Sequence, residues 1–290
     1  MDQFLQLTIA GLTNGAIYAL VALGFVLIYK SSDVINFAQG ELMLLGAYVA
    51  YFFIGQLGWA WPLGVTAALA VAVLVALLIE RAVLRPLIGE PIISVIMATV
   101  GLASIIRAVV NIIWGTVPYS FPAFIPSTTI TVAGAVISVN QIWAIVLAMG
   151  LLGLFTLFFR RSSEGIAMRA VADDQQAALS VGISVKHIFG LAWSISAATA
   201  TVAGILLANI IGVSGNIAFV GLRVFPAVIL GGLDSIPGAI VGGVAIGLLE
   251  AYTGGYIGYG LNQVIPFIVL LVVLMVRPYG LFGQKIIERV

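Results

Sequence analysis

The sequence predicts an all-α polytopic membrane protein. It reads as about eight transmembrane helices, some of them broken or re-entrant, with a small external β-hairpin and a helix on the cytoplasmic face. Three observations carry this. The chain is 62% hydrophobic and only 8% charged, whereas a soluble domain is about a quarter charged. Apolar stretches recur along its whole length, most of them near the roughly 20 residues that a helix needs to cross hydrocarbon. The polar joints between them carry lysine and arginine on one alternating set only. Mean hydropathy is +1.21. So little charge cannot cover a water-facing surface.

The spans read as 5–29, 42–54, 61–79, 92–113, 141–159, 189–209, 218–232, 238–254 and 263–276. Two of them, 42–54 and 218–232, are too short for ordinary crossings and are expected to be broken or re-entrant. The N-terminal span 5–29 has no basic residues before its apolar run, which continues to Ile28, so it is expected to stay as a span rather than be cleaved. Arg81 and Arg85 flank one joint; Arg160, Arg161, Arg169 and Lys186 crowd a second; Arg277, Lys285 and Arg289 mark the C-terminal tail. The joints 55–60, 114–140 and 210–217 have no lysine or arginine. The positive-inside rule therefore puts the basic joints in the cytoplasm, and counting back places Lys30 inside and the N-terminus outside.

In the external segment 114–140, Pro118, Pro122 and Pro126 exclude a continuous helix. TTITV and AVISV then alternate around Gly134, the pattern of a small hairpin. The joint 160–188 is longer than helix packing requires. Ser162, Ser163 and Glu164 open it as a helix start, and its amphipathic pattern predicts one helix of about four turns running to Val181 and ended by Gly182. Its small, alanine-rich face lacks the large side chains of a lipid-surface helix and fits a protein socket better.

Candidate functional residues lie where hydrophobicity fails. SSDVINFAQGE, residues 31–41, packs Asp33, Asn36, Gln39 and Glu41 between two apolar runs. One reading is an unwound segment lining a polar pathway, because irregular backbone survives at depth only beside protein or a water-filled cavity. The other is a tight turn with an ordinary acidic helix start. A second interruption, FPAVILGGLDSIPGAIVGGVAIGLLE over 225–250, sets Asp234 between Gly231-Gly232 and Pro237, and then spaces glycines for close helix contact. Arg107, inside a span, either pairs with Glu41 or Glu250 or reaches out to the interface, the latter preferred.

Several function classes are excluded. The chain has no cysteine, hence no disulfide, thiol nucleophile or thiolate metal site. Its one histidine, His187, falls in a polar joint and cannot build a metal cluster or an intramembrane hydrolase. No G-x-x-x-x-G-K-[ST] loop is present, so no ATP-driven work is expected of this chain alone. Basic residues are dispersed, and neither nucleic acid nor a cofactor is expected as a partner; the lipid bilayer is. A stand-alone secondary transporter or channel stays open.

Three stretches carry a resemblance: residues 14–48, 164–206 and 225–250. In this order they resemble the LivH-type permeases of branched-chain amino-acid ABC importers, over essentially the whole chain. The resemblance implies one permease domain over 1–290, not itself an enzyme, in the bacterial inner membrane. It also implies a second, LivM-like permease subunit, two ATP-binding cassette subunits that hydrolyse ATP, and a periplasmic substrate-binding protein. It makes 160–188 a coupling segment that docks on the ATPase, with Glu164, Arg169, Asp173, Ala177, Ala178 and Gly182 as the contact positions. Related permeases import urea or short amides, so that substrate class remains an alternative to branched-chain amino acids.

Overall fold

The computed structural model describes residues 2–283 except 123, 126, 127, 133 and 259. Pro126, Lys285 and Arg289 lie outside the described residues. The chain is mostly helical. Helix α1 is Asp2–Ser32, α2 Gln39–Tyr51, α3 Trp61–Ile79, α4 Ile92–Trp114 and α5 Val139–Arg161. Then come α6 Ser163–Asp173, α7 Gln175–Ser180, α8 Val185–Ile211, α9 Phe219–Arg223, α10 Phe225–Gly231, α11 Ile236–Tyr256 and α12 Ile265–Val276. A π-helical turn, Phe52–Gln56, extends α2, and another, Glu80–Leu84, extends α3.

Among the described residues six helices are long and apolar enough to cross a membrane: Asp2–Ser32, Trp61–Leu87, Ile92–Trp114, Val139–Arg161, Val185–Ile211 and Ile236–Tyr256. The expected count of about eight is not confirmed. The apolar runs 218–232 and 263–276 fall in the shorter helices Gly215–Gly231 and Leu261–Val276, and 42–54 forms the 13-residue α2 with its π turn. The cause is local. Val224 separates α9 from α10, and Pro226 lies in the first turn of α10, where its missing N–H costs nothing but where it cannot continue a helix from before.

Helix α1 is the axis of the bundle. Every residue from Gly15 to Ile28 is buried, packed by α11, α8 and α5. In lipid the drive for such packing is close van der Waals contact rather than expulsion of water, so small residues mark the seams. A Cβ on Gly15 would stand 2.7 Å from Val244 Cα, one on Gly243 would stand 2.6 Å from Ala19 N, and one on Gly247 would overlap the Gly15 backbone. The outer helices show the complementary pattern. On α3, Gly64, Ala68, Ala72 and Ala76 recur every fourth residue on the buried face, while Leu63, Leu74 and Leu78 are exposed. On α4 the buried stripe is Val95, Thr99, Leu102, Ile106 and Val110. Apolar side chains point outward, as a lipid-facing surface requires.

The two ends differ. At one, β1 Thr129–Val132 and β2 Ala135–Ser138 form the expected hairpin, antiparallel with Thr129 opposite Ser138 and Val132 opposite Ala135. Gly134 takes φ +86°, the left-handed backbone that the tight turn needs. Asp2 packs against this glycine, so the N-terminus lies at the hairpin end. Tyr119 bridges to Val213 through paired backbone bonds, and Trp61 stacks on Phe124 at 5.2 Å. At the other end lie Lys30, Arg160 and Arg169, around one cavity of about 510 Å³. That grouping of basic joints at the end opposite the N-terminus agrees with the charge pattern of the sequence.

Candidate functional site

The first break opens where α1 runs out. Ser31 and Ser32 turn their hydroxyls back onto Ile28 O at 3.0 and 2.7 Å, and Asp33 follows at φ +54°, a left-handed conformation that aspartate tolerates better than most residues. The chain re-enters helix through Asn36, whose Oδ1 accepts from Ala38 N at 3.0 Å. Gln39, the first residue of α2, then ties this segment to α8. Its Oε1 accepts from Asn36 Nδ2 at 3.3 Å and from Ser196 Oγ at 2.8 Å, while its Nε2 donates to Ser196 O at 3.3 Å. Asn36, Gln39 and Ser196 are fully buried, and each finds its partners within the network.

Two residues on, Glu41 meets Arg107 of α4. Arg107 Nε donates to Glu41 Oε1 at 3.0 Å, Nη2 donates to the same oxygen, and the guanidinium lies 5.2 Å from the Phe219 ring centre. The preferred expectation, that Arg107 reaches out to the interface unpaired, is therefore corrected. A carboxylate within reach inside the bundle is the cheaper partner, since an unpaired charge at that depth is costly. The pair borders a cavity of about 250 Å³ with Phe37, Gly40, Ser104 and Gly221.

The second break separates α10 from α11. Gly232 ends α10 at φ +105°. Ser235 then caps α11 by accepting from Gly238 N at 3.1 Å. Lys30 Nζ donates to Asp234 O at 3.2 Å, so the two breaks, some 200 residues apart in sequence, adjoin at the basic end. Asp33 and Asp234 both exert their charge on Tyr29. Of the five pathway candidates, the structure thus gathers Asn36, Gln39 and Glu41 at the start of α2 and leaves Asp33 and Asp234 at the basic mouth.

The segment 160–188 opens with two helices, α6 and α7, not the single one expected. Ser162 does start it, accepting from Gly165 N at 2.9 Å. The chain then breaks at Asp174, which is extended and whose Oδ1 accepts from Gln176 N and Ala177 N at 2.8 and 2.9 Å, capping α7. An aspartate carboxylate that competes for backbone N–H groups favours a cap over a helix interior. Gly182 at φ +86° closes α7, where Gly182 N and Ile183 N reach Leu179 O and Ala178 O. Glu164 approaches His187 at 3.2 Å. Arg169 donates to Phe159 O and lies 5.4 Å from that ring, holding α6 on the C-terminus of α5. Ala178 is buried, whereas Asp173, Ala177 and Gly182 are exposed beside the exposed Leu179 and Val181. Gln175 Nε2 donates to Ser31 O at 3.3 Å, which fastens α7 to the rim of the first break.

Four residues escaped the sequence reading or were misplaced by it: Tyr18, Ser196, Arg223 and Glu250. Tyr18 Oη donates to Glu250 Oε2 at 2.6 Å, and Arg223 acts electrostatically on both. Arg223 had a legible signal, a guanidinium inside an apolar run. Ser196 had none, because a serine in a helix becomes informative only once its neighbour is known.

Comparison with known proteins places this architecture. The family model described as branched-chain amino acid transport system / permease component matches residues 7–274. The chain is 34% identical to the high-affinity branched-chain amino acid transport system permease protein BraD of Pseudomonas aeruginosa, over 99% of this chain and 98% of that one. It is 32% identical to the permease protein LivH of Escherichia coli with the same coverage. It is 30% identical to a probable LivH of Methanocaldococcus jannaschii, over 91% and 88%. A chain from the PsaBC–Fab complex of Streptococcus pneumoniae shares the fold, with a TM-score of 0.54 over 96% of this chain and 93% of that one, at 18% identity.

Proposed function

The chain belongs to the family of branched-chain amino acid transport permease components, and on that premise we propose that it is the membrane-spanning permease subunit of an ATP-driven importer for branched-chain amino acids. It works with a second, LivM-like permease, two ATP-binding cassette subunits that hydrolyse the ATP, and a periplasmic binding protein that delivers substrate. The basic end faces the cytoplasm of a bacterial inner membrane and the hairpin end faces the periplasm. Residues 1–290 act as one permease domain.

One observation carries the mechanism: the hydrogen bond from Gln175 to Ser31 O. It joins the cytoplasmic helix pair to the place where α1 gives way to the polar break. The exposed face of α6 and α7, with Asp173, Ala177, Leu179 and Val181, docks on the ATPase. When the ATPase closes, α7 moves with it and draws on the end of α1, and the Asn36–Gln39–Ser196 network is the joint that gives. The gate opens by exchanging those neutral hydrogen bonds for others, each of which contributes only about 0.5–1.5 kcal/mol net. Glu41 and Arg107 stay paired and keep the first turn of α2 against α4. Glu164 and Arg169 act behind the docking face, by holding α6 to α8 and α5.

Two tests follow. Affinity-tagged chain purified from its own membranes should bring an ATP-binding cassette subunit with it, and Leu179→Asp combined with Val181→Asp should remove that subunit while the permease stays folded. Recovery of the chain alone, with ion-driven uptake in vesicles, would make it a stand-alone transporter instead. Asn36→Ala with Gln39→Ala should lower uptake by the reconstituted importer about tenfold, the effect of losing roughly 1.4 kcal/mol at the gate, without weakening ATPase binding. Normal uptake in that variant would remove these residues from the pathway.

A further inference from the structure

Arg107 and Arg223 are both arginines that fall within apolar runs and act on a buried glutamate, and they differ in one respect. Arg107 closes on Glu41 as an ion pair; Arg223 and Glu250 do not close, since the ion pairs within 4 Å among the described residues are Glu41–Arg107, Glu80–Arg85 and Glu164–His187. Instead Arg223 and Glu250 both line a cavity of about 590 Å³ bounded by α1, α8, α9 and α11. That volume is within the roughly 300–1,000 Å³ of small-molecule sites. Glu250 is only 7% exposed. One of its oxygens is held by Tyr18 Oη, and the other, Oε1, has no hydrogen-bond partner. A buried carboxylate oxygen left without a donor is costly, and the closing of Arg223 upon it, which would relieve the cost, has not happened.

We propose that this cavity recognises the head group of an α-amino acid, with Glu250 receiving the ammonium and Arg223 the carboxylate of the ligand. The chemistry of the lining fits a zwitterion with an aliphatic tail. Glu250 and Arg223 supply the two ionic groups, Asn14, Asn216 and Asn262 add amides, and Ile17, Leu207, Ile211 and Val220 supply an apolar surface. Tyr18 is a positioning residue; it fixes the glutamate rotamer so that one oxygen is engaged and one is kept for the ligand. The cavity reaches Gly255 and Asn262, and Gly255 O is bonded by Gln3 at the hairpin end, so the site is placed to receive what arrives from that side. The inference rests on the permease reading and adds to it a site whose residues are distinct from the Asn36–Gln39 gate.

The test is direct binding to the complete importer in lipid nanodiscs, without the binding protein, using radiolabelled L-leucine. Isoamylamine, which lacks the carboxylate, and 4-methylpentanoate, which lacks the ammonium, serve as competitors. Wild type should bind leucine at least about tenfold more tightly than either competitor. Glu250→Gln should weaken leucine about tenfold or more and leave 4-methylpentanoate unchanged; Arg223→Gln should weaken leucine and leave isoamylamine unchanged. If Glu250→Gln fails to assemble, Arg223→Gln carries the same comparison. A purely structural pair would change all three ligands alike, which overturns the proposal, as does the absence of displaceable leucine binding to wild type. Normal leucine import by both variants would sink this site and leave the permease reading intact; a wild-type complex that holds ATPase but imports no amino acid would sink the reading itself.

Discussion

Replacing Arg107 with leucine is expected to cost about 3–5 kcal/mol of stability and most of the folded yield, because it leaves Glu41 charged and without its partner inside the bundle. Glu41 is only 6% exposed, and its second oxygen already has no hydrogen-bond partner. The consequence reaches beyond one side chain. Gly40, beside Glu41, packs against Gly221 so closely that a Cβ on Gly40 would lie 3.0 Å from Gly221 Cα. Loosening the first turn of α2 therefore loosens α9 as well, together with the Phe219 ring that lies against the guanidinium. The double variant Arg107→Leu with Glu41→Leu should recover much of the loss, since it removes the stranded charge along with its partner. Thermal unfolding in detergent of the two single variants and the double variant reads this as a cycle. A double variant destabilised by the sum of the two single-variant losses would show that the pair contributes no coupling.

Gly247→Leu is expected to be more damaging still, abolishing assembly of the bundle. The α1–α11 seam is closed by backbone meeting backbone, with Gly11 and Gly15 on one side and Gly243 and Gly247 on the other. Overpacking in a soluble core costs about 1–3 kcal/mol where side chains can shift aside. Here the obstacle is the main chain of the most buried helix in the protein, which cannot shift without disturbing α8 and α5. The control is Gly101→Leu on α4, an exposed position where a Cβ would meet nothing within 4 Å; it should express and assemble as wild type. Monodisperse recovery by size-exclusion chromatography separates the two, and equal recovery would show that the seam is not what holds α1 in place.

The fold was largely legible because hydropathy and turn chemistry are properties of short windows. Helix starts at Ser162, the end at Gly182 and the hairpin around Gly134 all follow from residues within a few positions of one another. The errors have the same origin. A single helix over the segment 160–188 is not formed because the Asp174 carboxylate captures two backbone N–H groups and divides it. The run 218–232, expected to be too short for an ordinary crossing, and the run 263–276 both fall in shorter apolar helices.

What the sequence determined by itself is the solvent this protein lives in, the helical form of its segments, the end at which its charges collect and the two polar breaks at 31–41 and 231–237. Each is decided by composition or by neighbours along the chain. Partnership was decided only in three dimensions. Glu41 with Arg107, Gln39 with Ser196, Tyr18 with Glu250 and Lys30 with Asp234 join residues from 66 to 232 positions apart. Those pairings depend on which helices approach, and glycine and alanine set the approach by letting backbones meet. A polar residue within a membrane span announces that it needs a partner; the packing of small residues elsewhere chooses which one it finds.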